Sequence, residues 1–292
     1  MQVTETIPAL REARRGLKGR VGVVLTMGAL HRGHLALVEA ARAENDHVVA
    51  TIFVNPLQFG ANEDLSKYPR DLPRDLAMLE NAGVEVVFTP TPSMMYPAGF
   101  QTTVSLKQVT QGLEGARRPG HFDGVATVVA KLFNLTQPDR AYFGQKDAQQ
   151  VTVIKQMVRD LNFPLEVVVY PTVREDNGLA MSSRNVYLSA AAREKAASLS
   201  RGLRAASALY DTGVRRPGLL TDAVIRAFAP DVQVEYVALN DPATLAPITE
   251  PTDTPMLLSL AVRLDNTRLI DNCLLPESLN NTEHLSRILG GS

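Results

Sequence analysis

The feature that most constrains this chain is an alternation of apolar runs with two different periods. A mostly aliphatic run at residues 21–25 leads through a turn into an amphipathic stretch at 35–44, with Leu35, Val38 and Ala41 on one helical face. A nearly continuous apolar run at 47–54 follows, the pattern of a strand buried on both faces. A helix is predicted at 73–81, stopping at Gly83, and a third strand at 84–89. The spacing β-α-β-α-β predicts an α/β protein with a doubly wound, parallel, Rossmann-like sheet. Helices at 8–17, 124–135 and 148–161 and strands at 140–143 and 165–173 continue it. Residues 103–106 read as an extra short strand, and 117–123 as a charged, glycine-bearing loop.

After a long polar loop at 174–184 the texture changes. One alanine-rich helix is predicted over 190–209 and another over 219–228, with strands at 233–239, 256–262 and 268–274. The expected division is a Rossmann-like domain at 1–174 and a smaller α+β domain at 175–292. Residues from about Glu277 onward are expected to be loosely held.

Composition narrows the function classes. A net charge of −1 over 292 residues argues against a nucleic-acid-binding surface. The single cysteine, Cys273, excludes an internal disulfide and fits a reducing cytoplasm. No signal peptide and no membrane span are expected, because no apolar run is long enough.

The candidate chemistry sits in polar segments that each follow a predicted strand. The first runs Met27, Gly28, Ala29, Leu30, His31, Arg32, Gly33, His34. It joins a strand to a helix, and a helix N-terminus with unpaired N–H groups suits a phosphate. His31 and His34 read either as turn histidines without a ligand or as partners of a nucleotide triphosphate. A zinc site is disfavoured, since no third ligand has motif spacing. The others are the loop with Asn55 and Gln58; the segment Gly144, Gln145, Lys146, Asp147; and the stretch from Val173 through Met181, Ser182, Ser183 and Arg184. In an open parallel sheet, ligands bind at the carboxyl ends of strands. Each segment also has a plain reading. Lys146 fits a solvated lysine as well as a phosphate partner. Ser182 and Ser183 fit a helix cap as well as a triphosphate site. Gln58 and Gln150 fit surface amides as well as a pair binding a hydroxylated carboxylic acid. Arg117, Arg118 and His121 fit a solvated loop face as well as an anion-steering one.

Taken together, these segments resemble the pantothenate synthetase family, the pantoate–β-alanine ligases of the class I nucleotidyl-transferring superfamily. Residues 27–34 are similar to the superfamily's His-x-Gly-His signature, and Met181, Ser182, Ser183, Arg184 to its KMSKS-like signature. The family-level likeness lies in residues 53–59, Tyr68-Pro69-Arg70, residues 118–122, residues 143–147 and residues 174–185, in the family's order. The C-terminal third is matched more weakly, as a small domain that lids the cleft. One departure is Arg74, beside Asp75, where some relatives are expected to be more acidic; Asp75 is the one side chain considered for a metal contribution.

The resemblance implies two half-reactions, adenylation of pantoate by ATP and then attack by β-alanine. It implies ATP contacts from residues 27–34, Gly144, Gln145, Lys146, Asp147, Val173 and 181–184. His34 would be the proton donor or a charge stabiliser, with His31, Lys146 and Arg184 sharing the catalytic work. Gln58 and Gln150 would hold pantoate, with Asn55, Tyr68 and His121 completing the substrate pocket. Mg2+ would ride mostly on phosphate and water. The implied assembly is a cytoplasmic homodimer with no nucleic-acid or membrane partner. Rival readings are a nucleotidyl transferase acting on a phosphate nucleophile such as phosphopantetheine, a class I aminoacyl-tRNA synthetase, and a non-catalytic ATP-binding regulator.

Overall fold

The computed structural model describes residues 1–60 and 63–291. Its larger sheet has six strands: β1 (Gln2–Thr4), β2 (Val21–Thr26), β3 (His47–Ile52), β4 (Val86–Phe88), β5 (Arg140–Gly144) and β6 (Glu166–Tyr170). Their order is β1-β4-β3-β2-β5-β6, and β1–β4, β4–β3, β3–β2 and β2–β5 all pair in parallel. Helices at Ile7–Gly16, Arg32–Glu44, Leu72–Asn81, His121–Thr136 and Ala148–Asp160 connect the strands. The central strands carry almost no exposed side chain: Val21, Val23, Val24, Val48, Val49 and Ala50 are fully buried. That is what an unbroken aliphatic run requires, since it must be covered on both faces. Strand order reverses between β2 and β5, the kind of switch point at which such sheets bind ligands.

A second sheet has three antiparallel strands in the order β7 (Gln233–Asn240), β8 (Met256–Leu264) and β9 (Thr267–Leu275). Its apolar face, with Met256, Leu258, Leu260, Val262 and Leu269, packs with Leu199, Leu203 and Tyr210 of helix Ser198–Asp211 and with Leu220 and Val224 of helix Pro217–Arg226. Chain contacts divide into two compact units. One is Met1–Phe143 with Val153–Val168; the other is Gly144–Thr152 with the chain from Val169 onward.

Several expectations need correction. Residues 103–106 form no strand: the Val104 amide donates instead to the Thr127 hydroxyl at 2.9 Å. The stretch at 117–123 is not one loop. A short helix Leu113–Arg117 ends there, and Gly120, at φ +80°, lets the helix from His121 start almost at once. The single helix at 190–209 is two, Ala190–Ala196 and Ser198–Asp211. At the break, Ser198 accepts from the Ala229 amide and Ser200 donates to the Ala197 carbonyl, so both hydroxyls serve backbone groups near the junction. The C-terminal segment is not loose. Helix Thr282–Ile288 is capped by Asn281, buries Leu285 and Leu289 completely, and accepts the Val169 amide on Ser286 at 2.8 Å. Strand β1 has no counterpart among the expected elements; it adds an edge against β4, where Thr4 donates to the Val87 carbonyl.

Candidate active site

In the first unit, the turn after β2 is built backwards from a carboxylate. Gly28 and Ala29 both lie in the left-handed region, at φ +81° and +50°. Glycine tolerates this; alanine needs support. Asp75, in helix Leu72–Asn81 and only 1% exposed, gives it: its Oδ2 accepts the Ala29 amide at 2.7 Å and its Oδ1 the Leu30 amide at 2.9 Å. The carboxylate considered for a metal thus spends both oxygens on backbone.

The helix Arg32–Glu44 then begins with a reciprocal cap made of imidazoles. His31 Nδ1 accepts the Gly33 amide at 3.1 Å, and His34 Nδ1 accepts the His31 amide at 3.4 Å. Their rings stack with centroids 4.1 Å apart. A neutral imidazole that accepts at Nδ1 carries its proton at Nε2. Both rings therefore present Nε2–H donors. The amides of Gly33 and His34 are used within the turn itself.

The loop after β3 is organised around one amide. Asn55 accepts the Leu57 amide on Oδ1 and donates from Nδ2 to the Gly124 carbonyl at 3.1 Å, so its two ends are unambiguous. Tyr96 donates to Oδ1 at 2.7 Å, and Nδ2 also donates to Gln58 Oε1 at 3.0 Å. Gln58 is thereby turned with Nε2 toward Met27 Sδ, 3.1 Å away. Gln58 offers its donor end, which suits a carboxylate or hydroxyl. Gly124 makes the approach feasible: a Cβ there would lie 2.2 Å from the Leu57 carbonyl oxygen.

His121 sits beneath this loop rather than in a solvated face. Its Nδ1 donates to the Gln58 carbonyl at 2.8 Å, and its Nε2 accepts from Arg118 at 3.0 Å. Arg118 makes a bidentate pair with Glu63 at 2.6 and 2.7 Å. Burial, and then the Arg118 charge, push the imidazole down to about 4, so it is neutral at pH 7. Burial alone would raise Glu63, but the Arg118 hydrogen bond and charge bring it below the usual carboxylate value. Tyr68 is buried and meets Phe59 edge-on, with centroids 5.9 Å apart.

In the second unit, Gly144 leads into a single 3-10 turn, Gln145–Asp147. Gln145 is 3% exposed and anchored at both ends of its amide: Nε2 donates to Asn280 at 2.6 Å, and Oε1 accepts the Thr172 amide at 3.4 Å. Gln145 is thus a support, while Lys146 is partly exposed with Nζ 3.6 Å from Asp147. Gln150 follows in the first turn of helix Ala148–Asp160, half-buried. The stretch from Val173 doubles back: Met181 donates its amide to the Val173 carbonyl at 2.9 Å, and Arg174 bridges to Ala180. Ser182 then caps the 3-10 turn Ser183–Tyr187 through the Arg184 amide. Asn185 ties this turn to Glu175, whose other oxygen pairs with Arg193 at 2.7 Å.

Sequence reasoning missed the residues that hold these segments. Tyr96 gives no signal beyond one tyrosine after two methionines. Asp271 and Asn272 of β9 grip Arg174 and the Gln145–Asp147 turn, across separations of 97 and 126 residues. Asp75, named by sequence only for a metal contribution, holds the histidine turn. Among the described residues, no group of three or more His, Cys, Asp or Glu side chains could hold a metal ion.

The chain matches the family Pantoate-beta-alanine ligase over residues 2–274. It is 55% identical over 278 residues to the pantothenate synthetase of Roseiflexus sp. (strain RS-1), covering 94% of this chain and 99% of that one. Among solved structures it is similar to the pantothenate synthetase of Thermus thermophilus, with a TM-score of 0.89 and 51% identity over 93% of this chain and 98% of the other. It is also similar to the pantoate-beta-alanine ligase of Francisella tularensis complexed with beta-gamma ATP and beta-alanine, with a TM-score of 0.77 and 34% identity over 94% and 97% of the two chains.

Proposed function

This chain belongs to the pantoate-beta-alanine ligase family, and from that premise we propose that it joins pantoate to β-alanine at the expense of ATP, through a pantoyl adenylate. In the first step a pantoate carboxylate oxygen attacks the α-phosphorus, and the bond to the β-phosphate oxygen breaks to release pyrophosphate. In the second the β-alanine amine attacks the acyl carbon; the acyl–phosphate bond breaks, AMP leaves and the amine loses a proton.

The observation that carries this reading is the pair of stacked imidazoles at the start of helix Arg32–Glu44, both with Nδ1 committed to backbone. Their Nε2–H groups are fixed donors suited to phosphoryl oxygens on which charge grows during displacement. The carboxylate nucleophile is already ionised at pH 7, so the first step needs positioning and charge stabilisation, not a base. His34 acts there as hydrogen-bond donor to the departing oxygen, and His31, Lys146 and Arg184 share the charge. Residues 27–34, Gly144, Gln145, Asp147, Val173 and 181–184 complete the ATP contacts. Gln58, whose Nε2 lies beside Met27 Sδ, and Gln150 take pantoate, with Asn55, Tyr68 and His121 around them. The Francisella relative, complexed with beta-gamma ATP and beta-alanine, supports both ligands. Mg2+ would ride mostly on the phosphates and water in this reading. The reading carries with it a cytoplasmic homodimer; no helix among the described residues is long and apolar enough to cross a membrane.

The test is pyrophosphate release from ATP and Mg2+ with and without pantoate, before β-alanine is added. A pantoate-dependent burst near one per site, turning over only with β-alanine, is expected. ATP binding without any pantoate-dependent release would overturn the ligase reading.

A further inference from the structure

We propose that Asp271 and Asn272, consecutive residues of β9, are positioning residues for the nucleotide. This rests on the reading of Lys146 and 181–184 as ATP-binding. Neighbouring residues of a strand point to opposite faces, and here each face holds a different loop. Asp271 is 3% exposed and lies on the face that carries Leu269 and Leu275 into the core. It takes the Arg174 guanidinium in a fork, at 2.6 and 3.1 Å. The same Arg174 Nη1 donates to the Gly178 carbonyl, which closes the doubled-back stretch 173–181 from inside. That stretch ends directly in Ser182.

Asn272 works on the other face. Its Nδ2 donates to the carbonyls of Gln145 and Lys146, at 3.0 and 2.9 Å. Two peptide planes in succession are thereby fixed, and they set the direction of the Lys146 Cα–Cβ bond. A buried, bidentate Arg–carboxylate pair and a doubly donating amide are both geometrically demanding. Neither side chain adds apolar surface to the core. Both end on the segments that bear Lys146 and the Met-Ser-Ser-Arg motif. One two-residue step of β9 therefore sets the register between the lysine turn and the serine loop, within a single unit of the molecule.

The experiment uses the full-length chain with Asn272→Ala, Asp271→Asn and, as a control, Leu269→Ala, which trims the core from the same strand and, being apolar, takes away no side-chain hydrogen bond to either loop. Hydrogen exchange of the peptide covering 144–150 is read without substrates, and ATP affinity by calorimetry. Asn272→Ala is expected to speed exchange in 144–150 and weaken ATP at least tenfold, with the KM for β-alanine changed less than threefold. Asp271→Asn, if it folds, is expected to do the same through 173–184. Leu269→Ala is expected to lower the melting temperature while ATP affinity stays within twofold. Faster exchange with unchanged ATP affinity would overturn the positioning role, as would equal loss of ATP in Leu269→Ala. If the unaltered protein does not bind ATP, the nucleotide reading fails, and the exchange data alone then test whether Asn272 holds the turn.

Discussion

The turn after β2 and the turn after β5 are each gripped by a buried side chain, but Asp75 takes two backbone N–H groups where Asn272 takes two carbonyl oxygens. A carboxylate can only accept, so it can hold a turn only by its amides; an amide nitrogen can hold one by its carbonyls. The consequence differs on the ligand side. In the histidine turn the backbone donors are consumed, by Asp75 and by the imidazole cap, and the donors that suit an anion are side-chain Nε2–H groups. In the lysine turn the backbone acceptors are consumed, and the polar group the turn presents is the Lys146 side chain, 3.6 Å from Asp147. The cost of failure also differs. A buried N–H without a partner is rarer and worse tolerated than a carbonyl with one lone pair unused.

The largest expected effect follows from that asymmetry. Asp75→Ala leaves the Ala29 and Leu30 amides without their acceptor and removes the support under a left-handed alanine. It is expected to lower unfolding free energy by about 4 kcal/mol, two charge-assisted hydrogen bonds at the usual value, against about 1–2 kcal/mol for Asn272→Ala. Urea denaturation of both variants measures this. Equal losses would break the comparison.

Next comes Gly124→Ala. The added methyl would collide with the Leu57 carbonyl, and backbone cannot swing aside as a side chain does. The helix His121–Thr136 must part from the turn Pro56–Gln58, at roughly 2–3 kcal/mol. The KM for pantoate is expected to rise several-fold while ATP affinity holds. A variant with full stability and unchanged KM would mean that Gln58 does not depend on this approach.

The two units also differ in what titrates. His121 accepts a proton in the unfolded chain near its ordinary value of 6.5 but in the folded state only at about 4. Between those values the unfolded chain holds the extra proton, so falling pH favours unfolding, and the stability present above pH 6.5 is lost progressively toward pH 4. Glu63, held below its usual value by Arg118, acts in the same direction further into acid. The amides holding the Gln145–Asp147 turn do not titrate. Hydrogen exchange between about pH 7 and 5 is therefore expected to loosen residues 118–124 before 144–150, and His121→Gln to flatten that difference. The reverse order would refute this role of His121 in holding the Gln58 loop.

What could be read in the sequence is what local pattern dictates. The β-α-β-α-β alternation and the small sheet of β7, β8 and β9 are written in runs of Val, Leu and Ile, and the structure has both. The polar segments at strand ends could be found because their residue types are unusual at a strand–helix junction. Their supports could not. Asp75, Tyr96, Asp271 and Asn272 act across long separations, and an aspartate or asparagine in an apolar run looks like any other interruption. Helix Thr282–Ile288 escaped for a related reason: it buries only Leu285 within its span, and a single apolar residue has no period.

The smallest expected effect sharpens the comparison within the first unit. Tyr96 is held among aromatic rings, 6.1 Å from Phe53 and 5.1 Å from Phe100 between centroids, and burial raises its hydroxyl well above the ordinary value, so it stays protonated and donates. Tyr96→Phe removes one donor to Asn55 Oδ1, which keeps the Leu57 amide, while Nδ2 keeps the Gly124 carbonyl. The orientation of Gln58 is thus defended by two backbone groups even without the tyrosine. The expected loss is about 1 kcal/mol of stability, one neutral hydrogen bond, with roughly a two- to threefold rise in the KM for pantoate and no change in kcat. Asn55→Asp should do far more, because a carboxylate cannot donate to Gly124 or to Gln58, and the glutamine would be free to turn its amide around. If Tyr96→Phe proved as damaging as Asn55→Asp, the hydroxyl would have to reach substrate itself. It would then be a contact, and not a brace.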